Sequence, residues 1–204
     1  AVSGISRQIG EGRAFFARKY IGQKYLAYFQ AYSNTYAPLE ELRQKYEEAL
    51  DCPDVVGLVI ATRPDAVTDD VLDYIAGLSR RCYVCVEYGV ESANDEVLRT
   101  VNRGHTFAEA EAIRKTAERG IRIGAHLIFG LPGESRESML EGAVRLCDLP
   151  IQVLKLHQLQ IVRGTAMAEQ YLRHPEVFRL YSYEEYLDFV VDVIGHIRPD
   201  VYLE

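Results

Sequence analysis

No apolar run in this chain approaches the roughly 20 residues that a bilayer span requires, and its start does not read as a signal peptide. A basic block is also missing. Thirty acids face 23 Lys and Arg, for a net charge of −7, which argues against nonspecific binding to a phosphate backbone while leaving room for a local basic pocket. Cysteine is scarce. Cys52, Cys82, Cys85 and Cys147 do not form a secreted disulfide framework, so a reducing cytoplasm is the expected compartment. "CYVC" at 82–85 has the spacing of a metal or redox pair, but it stands in an extended apolar run. Side chains three apart on a strand point to opposite faces, so the two read as ordinary buried cysteines. Low-complexity segments and interdomain linkers are absent too. With 204 residues, 48% of them apolar, the chain is long enough for one large domain.

What is present is strand and helix in alternation. Residues 4–20 read as a helix with Ile5, Ile9, Phe16 and Tyr20 in an approximate apolar stripe. Strands are expected at 24–32, 55–62, 83–91, 121–130 and 151–162. The intervening segments read as helices, one entered through Pro38 and running to about Leu50, another with Thr68 as N-cap and one with Ser135 as N-cap before it reaches Cys147. Gly120 supplies a helix stop. A helical stretch near 183–197 leads to "DVYLE", which begins to read as a further strand. Strands separated by helices of about three turns form repeated βαβ units and so a parallel sheet. A six-stranded piece of a barrel describes this best, with a doubly wound flat sheet as the alternative.

Alternation within the strands points to a site. In 83–91, Val84, Val86, Tyr88 and Val90 share the face that packs beneath helices, and Tyr83, Cys85, Glu87, Gly89 and Glu91 share the other. Two carboxylates on one face of a buried strand are costly unless something pairs with them. Lys155 and His157 share a face of their strand, and His126 lies with Gly124 and Ile128. One reading is an internal ion-pair network. The other places the C-terminal members around a ligand, because α/β folds bind ligands at the carboxyl ends of their strands.

"AHLIFGLPGE" (125–134) ends such a strand in a Gly/Pro-rich turn. It lacks the Gly-Lys-Ser/Thr ending of a Walker A loop and is not GxGxxG. Pro132 has no amide hydrogen and makes a poor member of a phosphate cradle. It fixes the turn and leaves backbone groups of Phe129, Gly130 and Leu131 free to meet a flat polar ring edge-on. Arg103 is suited to a ligand carboxylate, which it can grip with two donors; its alternative role is a surface ion pair. Glu91, at the end of its strand, can accept from vicinal sugar hydroxyls. Ser92 or Asn94 can cap the helix that follows.

"VEYGVES…NRGH" followed by "HLIFGLPGE" resembles the radical S-adenosylmethionine (SAM) superfamily. The nearest likeness is to uncharacterised iron–sulfur oxidoreductases related to the coproporphyrinogen III dehydrogenase and Elongator catalytic-subunit branches. "KYLAYFQAYSNTYAPLEELRQKYEEAL" resembles that group as well, and the likeness runs over about 7–162. It implies an α/β fold, a partial (β/α)6 TIM-like barrel, in which a [4Fe-4S] cluster binds SAM through its amino and carboxylate groups. An electron donor such as flavodoxin or ferredoxin would drive cleavage of SAM into methionine and a 5'-deoxyadenosyl radical that abstracts substrate hydrogen. By the same resemblance, "FQAYSNT" stands where relatives face the methionine amine, with Gln30, Ser33 and Asn34 as candidate acceptors. Glu91 takes a ribose-contact position, Arg103 falls where some relatives hold the methionine carboxylate, and His126 replaces a ribose-contacting aspartate. Phe129, Gly130 and Leu131 lie along the adenine.

One departure is an absence. The family's Cys-x3-Cys-x2-Cys loop, which holds the cluster, is not in this chain. Residues 1–204 are therefore expected to be an incomplete core barrel, with the first strand and cluster loop missing and the C-terminal region cut short. No metal ligands are assigned, the cluster is expected only in a parent protein, and the fragment is expected to be inactive. Two other classes remain open: a cluster-free barrel serving as a binding or assembly module, and a sugar- or nucleotide-processing barrel enzyme using Glu91 and His126. The substrate is unreadable. A parallel sheet lacking its first strand exposes an edge, so self-association is expected; sedimentation showing a monomer at every concentration contradicts it.

Overall fold

The structure, a computed structural model, describes residues 4–17, 19 and 22–204. Six strands, β1 (Tyr25–Phe29), β2 (Val55–Thr62), β3 (Tyr83–Glu91), β4 (Arg122–Phe129), β5 (Val153–Gln158) and β6 (Tyr202–Leu203), form one sheet in the order β1-β2-β3-β4-β5-β6. All five pairings are parallel. Parallel neighbours need crossovers, which α1 (Ile5–Phe16) precedes and α2 (Leu39–Leu50), α3 (Asp69–Ser79), α4 (Asp95–Thr100), α5 (Glu111–Glu118), α6 (Arg136–Cys147), α7 (Ala166–Arg173) and α8 (Tyr183–His196) supply. Strand order never reverses, as it must in a doubly wound sheet. The winding is that of a partial barrel.

The core lies between the sheet's convex face and these helices. Leu58, Ile60, Val86, Tyr88, Val90, Ile123, Ala125 and Leu154 are fully buried there. Helical spacing supplies the other layer: Leu42, Tyr46 and Ala49 on α2, and Met139, Gly142, Ala143, Leu146 and Cys147 on α6. Asn94 caps α4 through the amides of Glu96 and Val97, and Ser135 caps α6 through that of Ser138. Thr68 stands at the N-cap of α3, but its hydroxyl goes to Asp70 instead of a backbone amide.

Several boundaries are tighter than the sequence suggests. The first helix covers 5–16, not 4–20; Ile5 and Ile9 pack against the core, Phe16 is exposed, and Tyr20 lies outside the described residues. β1 is short of 24–32 and β5 of 151–162, because pairing stops where the chain turns into the loops at the strands' carboxyl ends. "DVYLE" does pair, through Tyr202 and Leu203 against Val153 and Leu154.

Gly57 sets the approach of β2 to β3. A Cβ there would stand 2.2 Å from the Tyr83 carbonyl oxygen, and backbone cannot move aside as a side-chain tip can. Gly57→Ala is expected to lower the unfolding free energy by roughly 2 kcal/mol, measured by urea denaturation; an unchanged midpoint contradicts this packing.

Candidate functional site

The concave face carries the polar groups. A cavity of about 500 Å³ opens at the carboxyl ends of the strands, with Tyr28, Glu87, His126, Lys155 and His157 in its floor and Gln30, Ser33, Glu91 and Arg103 in its wall. Glu87 is the anchor of the floor. Only 5% exposed, its Oε2 accepts from the Tyr28 hydroxyl at 2.6 Å and from His126 Nε2 at 3.0 Å. Burial by itself would raise this carboxyl's pKa. The hydrogen bonds from His126 and Tyr28, with the charges of His126 and Lys155, outweigh it and hold Glu87 below the ordinary carboxylate value. An ionised carboxylate only accepts, so His126 carries its hydrogen on Nε2 and turns Nδ1 away from Glu87.

The floor continues across the sheet. The His126 and His157 ring centroids are 5.3 Å apart. Lys155 Nζ reaches Glu204 Oε1 at 3.0 Å and lies 5.5 Å from the Tyr28 ring centroid. Burial, aided by the charges of His126 and Lys155, lowers the pKa of His157 and favours its neutral ring. Hydrogen bonds from Tyr28 and His126 to Glu87, with the Lys155–Glu204 ion pair, thus form the floor of a cavity. His126 takes Glu87 as its carboxylate, not Glu91.

Glu91 belongs to a second pair. The β3–β4 register shifts between Gly89 and Glu91, and Glu91 sits at φ 68, a left-handed backbone that a glutamate rarely adopts. Arg103 Nη2 donates to the Gly89 carbonyl at 2.8 Å and to Glu91 Oε1 at 3.1 Å. Gly89 leaves the room for this: a Cβ there would lie 2.6 Å from Glu91 Oε1 and 2.7 Å from Arg103 Nη2. Burial raises the pKa of Glu91, and the nearby charges of Arg103 and His126 only partly offset it. Arg103 Nε is buried without a partner. A guanidinium with an unpartnered donor beside a carboxylate whose pKa burial raises suits a ligand with both an anionic group and hydroxyls.

The other sequence-derived candidates divide. Gln30 and Ser33 line the cavity. Asn34 does not: its Nδ2 donates to the carbonyls of Phe29 and Ala61, both at 2.9 Å, tying the loop to the ends of β1 and β2. Phe129, Gly130 and Leu131 lie outside this cavity, and part of their backbone is already bonded. The Phe129 carbonyl accepts from the Leu159 amide, the Gly130 amide meets Met139 Sδ at 3.1 Å, and the Leu131 carbonyl accepts from the Glu134 amide. Phe129 alternates onto the convex face and joins the core, while Leu131 packs with Val97, Leu159 and Phe178.

Sequence reasoning missed Tyr28, although it falls in phase with Gln30 on the inner face. It also missed Tyr32, 95% exposed at the cavity lip with φ 64, for which the sequence offers no signal beyond its place in "FQAYSNT". The cysteines are not brought together. Cys85 shares the Glu87 face of β3, while Cys82 packs against the convex-face core. Burial pushes the Cys85 thiol up to about 12 and that of Cys147 up to about 11. Among the described residues no group of three or more His, Cys, Asp or Glu could hold a metal ion, and no helix is long and apolar enough to cross a membrane.

The family model of the Radical SAM superfamily matches residues 13–144, and that of the Radical_SAM C-terminal domain matches 151–204. This chain belongs to the radical SAM superfamily. It is 42% identical over 179 residues to the uncharacterized protein YtqA of Bacillus subtilis (strain 168), covering 87% of this chain and 55% of that one. The chain thus spans about half the length of the curated relatives it matches. Among solved structures it resembles the archaeal Methanocaldococcus infernus Elp3 with an N-terminal deletion, at a TM-score of 0.76 and 20% identity over 98% of this chain and 51% of that chain. Coproporphyrinogen III oxidase (HemN) from Escherichia coli follows at a TM-score of 0.65 and 20% identity, over 94% and 43%. At such identities these two likenesses show the fold alone.

Glu134, in the turn after β4, is a further buried acid of this radical SAM domain. It is 7% exposed, its Oε1 accepts from the Ser92 hydroxyl at 2.6 Å, and burial lifts its pKa from 4.5 to about 7 despite that bond. A carboxyl with a raised folded pKa stabilises the fold fully below its unfolded value and loses that contribution as pH rises through the folded one. Relative to Glu134→Gln, the wild type is therefore expected to lose up to about 3 kcal/mol between pH 4.5 and 7.5. Parallel urea titrations at several pH values measure the difference; curves that stay parallel across that window contradict it.

Proposed function

We propose that the cavity binds SAM as part of a radical SAM iron–sulfur oxidoreductase. Arg103 takes the methionine carboxylate through its guanidinium, whose Nε is unpartnered, Glu91 accepts from the ribose hydroxyls, His126 approaches the sugar from the floor, and Gln30 and Ser33 face the amine. The observation that carries this reading is the pairing of Arg103's buried, unpartnered Nε with a strained, partly buried Glu91 at the carboxyl end of β3. SAM offers a carboxylate and a vicinal diol on one molecule, and the two side chains offer a donor fork and an acceptor side by side.

When bound, a [4Fe-4S] cluster together with SAM supplies one-electron reductive cleavage for hydrogen abstraction. The residues of this chain do not fit the cluster: its thiols stand apart, and burial keeps Cys85 and Cys147 protonated near neutral pH. Cluster thiolates and access for an electron donor such as flavodoxin or ferredoxin belong to the whole protein, and the present residues hold and orient SAM. The Glu87–His126 hydrogen bond fixes the imidazole through Nε2 and leaves Nδ1 for the ligand. The substrate is the part of the reading that the floor residues Tyr28, Lys155 and His157 would meet.

Isothermal titration of the chain with SAM tests the reading. Binding is expected in the wild type, with at least about a tenfold loss in Arg103→Ala and little change in Arg119→Ala, whose partners Asp69 and Asp73 are on α3. Equal affinity in Arg103→Ala and wild type contradicts it.

A further inference from the structure

Glu134 makes no contact with the cavity, yet both residues of the Glu91–Arg103 pair trace back to it. Its carboxyl accepts from Ser92, the residue after Glu91. Ser92 Oγ in turn accepts from the Asn94 amide at 3.0 Å, and Asn94 Oδ1 caps α4 through the amides of Glu96 at 2.9 Å and Val97 at 3.4 Å. Helix α4 ends at Thr100, Asn102 follows at φ 53, and the Arg103 amide closes back on the Leu98 carbonyl at 2.9 Å. A continuous set of hydrogen bonds thus connects the turn after β4 to the turn after β3 and to the helix that delivers Arg103.

Helix α6, which begins just after Glu134, braces the same turn from the other side. A Cβ on Gly142 would come within 3.3 Å of Ala93 Cβ, and Arg145 Nη1 donates to the Ala93 carbonyl at 3.2 Å. Glu134, Ser92 and Glu91 line one small cavity. Among the described residues no cation pairs with Glu134, and its carboxyl has the Ser92 hydroxyl as partner. For packing alone an apolar side chain would serve better. What a carboxyl adds is an acceptor that fixes Ser92.

We propose that Glu134 is a positioning residue for the SAM site: by anchoring Ser92 it fixes the 91–94 turn, holds Glu91 in its left-handed backbone and sets Glu91 against Arg103. The role rests on the reading of the cavity as a SAM site. Glutamine keeps an acceptor oxygen at this position, whereas alanine removes it, and Ser92→Ala removes the donor.

Hydrogen exchange by mass spectrometry on the full chain, with SAM titrations of the same samples, tests the role. In Glu134→Ala and Ser92→Ala, exchange over residues 91–103 is expected to rise about tenfold while β2 and α3 keep wild-type protection, and SAM affinity is expected to fall roughly five- to tenfold. Glu134→Gln is expected to restore both. Wild-type exchange at 91–103 in Glu134→Ala, or uniform loosening of the whole sheet, overturns the role. So does unchanged affinity in Glu134→Ala where Arg103→Ala has lost it, a result that leaves the SAM reading standing. A wild-type chain that takes up no SAM overturns the SAM reading and this role together.

Discussion

A carboxylate buried in the middle of a sheet has to be paired, and the concave face of this protein is organised around that requirement. Glu87 lies on β3, with Ala61 and Gly124 beside it in register on β2 and β4. Both neighbours are small, and a Cβ on Gly124 would already stand 3.0 Å from Glu87 Cγ. The room they leave is filled from further away. Tyr28 reaches over β2 from β1, and the imidazole of His126 comes from two residues further along β4. Because strands lie about 4.8 Å apart, a phenol two strands away can reach the carboxylate only across a sheet curved towards it. The hydrogen bonds of Glu87 thus depend on the curvature that makes the fold a barrel segment, and in return they tie β1, β3 and β4 into one floor.

The wall is built by the opposite means. On the floor, good partners hold a carboxylate ionised; four residues further along β3, burial inclines Glu91 towards its neutral form. Two acids on the same strand are driven apart in acidity by their surroundings, an arrangement typical of sites that must treat two parts of a ligand differently. The register shift after Gly89 permits this, because it ends the regular ladder and turns Glu91 to Arg103. The strain of that backbone is held by the turn, which is in turn held by Ser92, Ala93 and Asn94 against α6.

Much of the fold was legible because periodicity reports burial directly. The alternation of Val84, Val86, Tyr88 and Val90 against Glu87 separates the two faces of β3 without error. Ends of elements were less legible: a strand stops when its partner does, and partners are not written locally. Within the site, Glu91, Arg103 and His126 could be singled out by residue type, while their pairing could not. His126 lies nearer in sequence to no particular acid, and only the β3–β4 register brings it to Glu87. Asn34 and Phe129–Leu131 stand in motifs beside the cavity, and the Asn34 amide and the Phe129 and Leu131 carbonyls are bonded within the structure that supports it. Glu134 was visible in "GLPGE" and silent, since nothing in the sequence says that Ser92, 42 residues away, is its partner.

The central claim is that the Arg103–Glu91 wall receives SAM, and a crystal structure of the chain soaked with S-adenosylhomocysteine tests it most directly. The account predicts the ligand carboxylate within hydrogen-bonding distance of Arg103 Nε and the ribose hydroxyls on Glu91, above an unbroken Tyr28–Glu87–His126 floor. A ligand seated elsewhere, with the Nε of Arg103 still unpartnered, would contradict it.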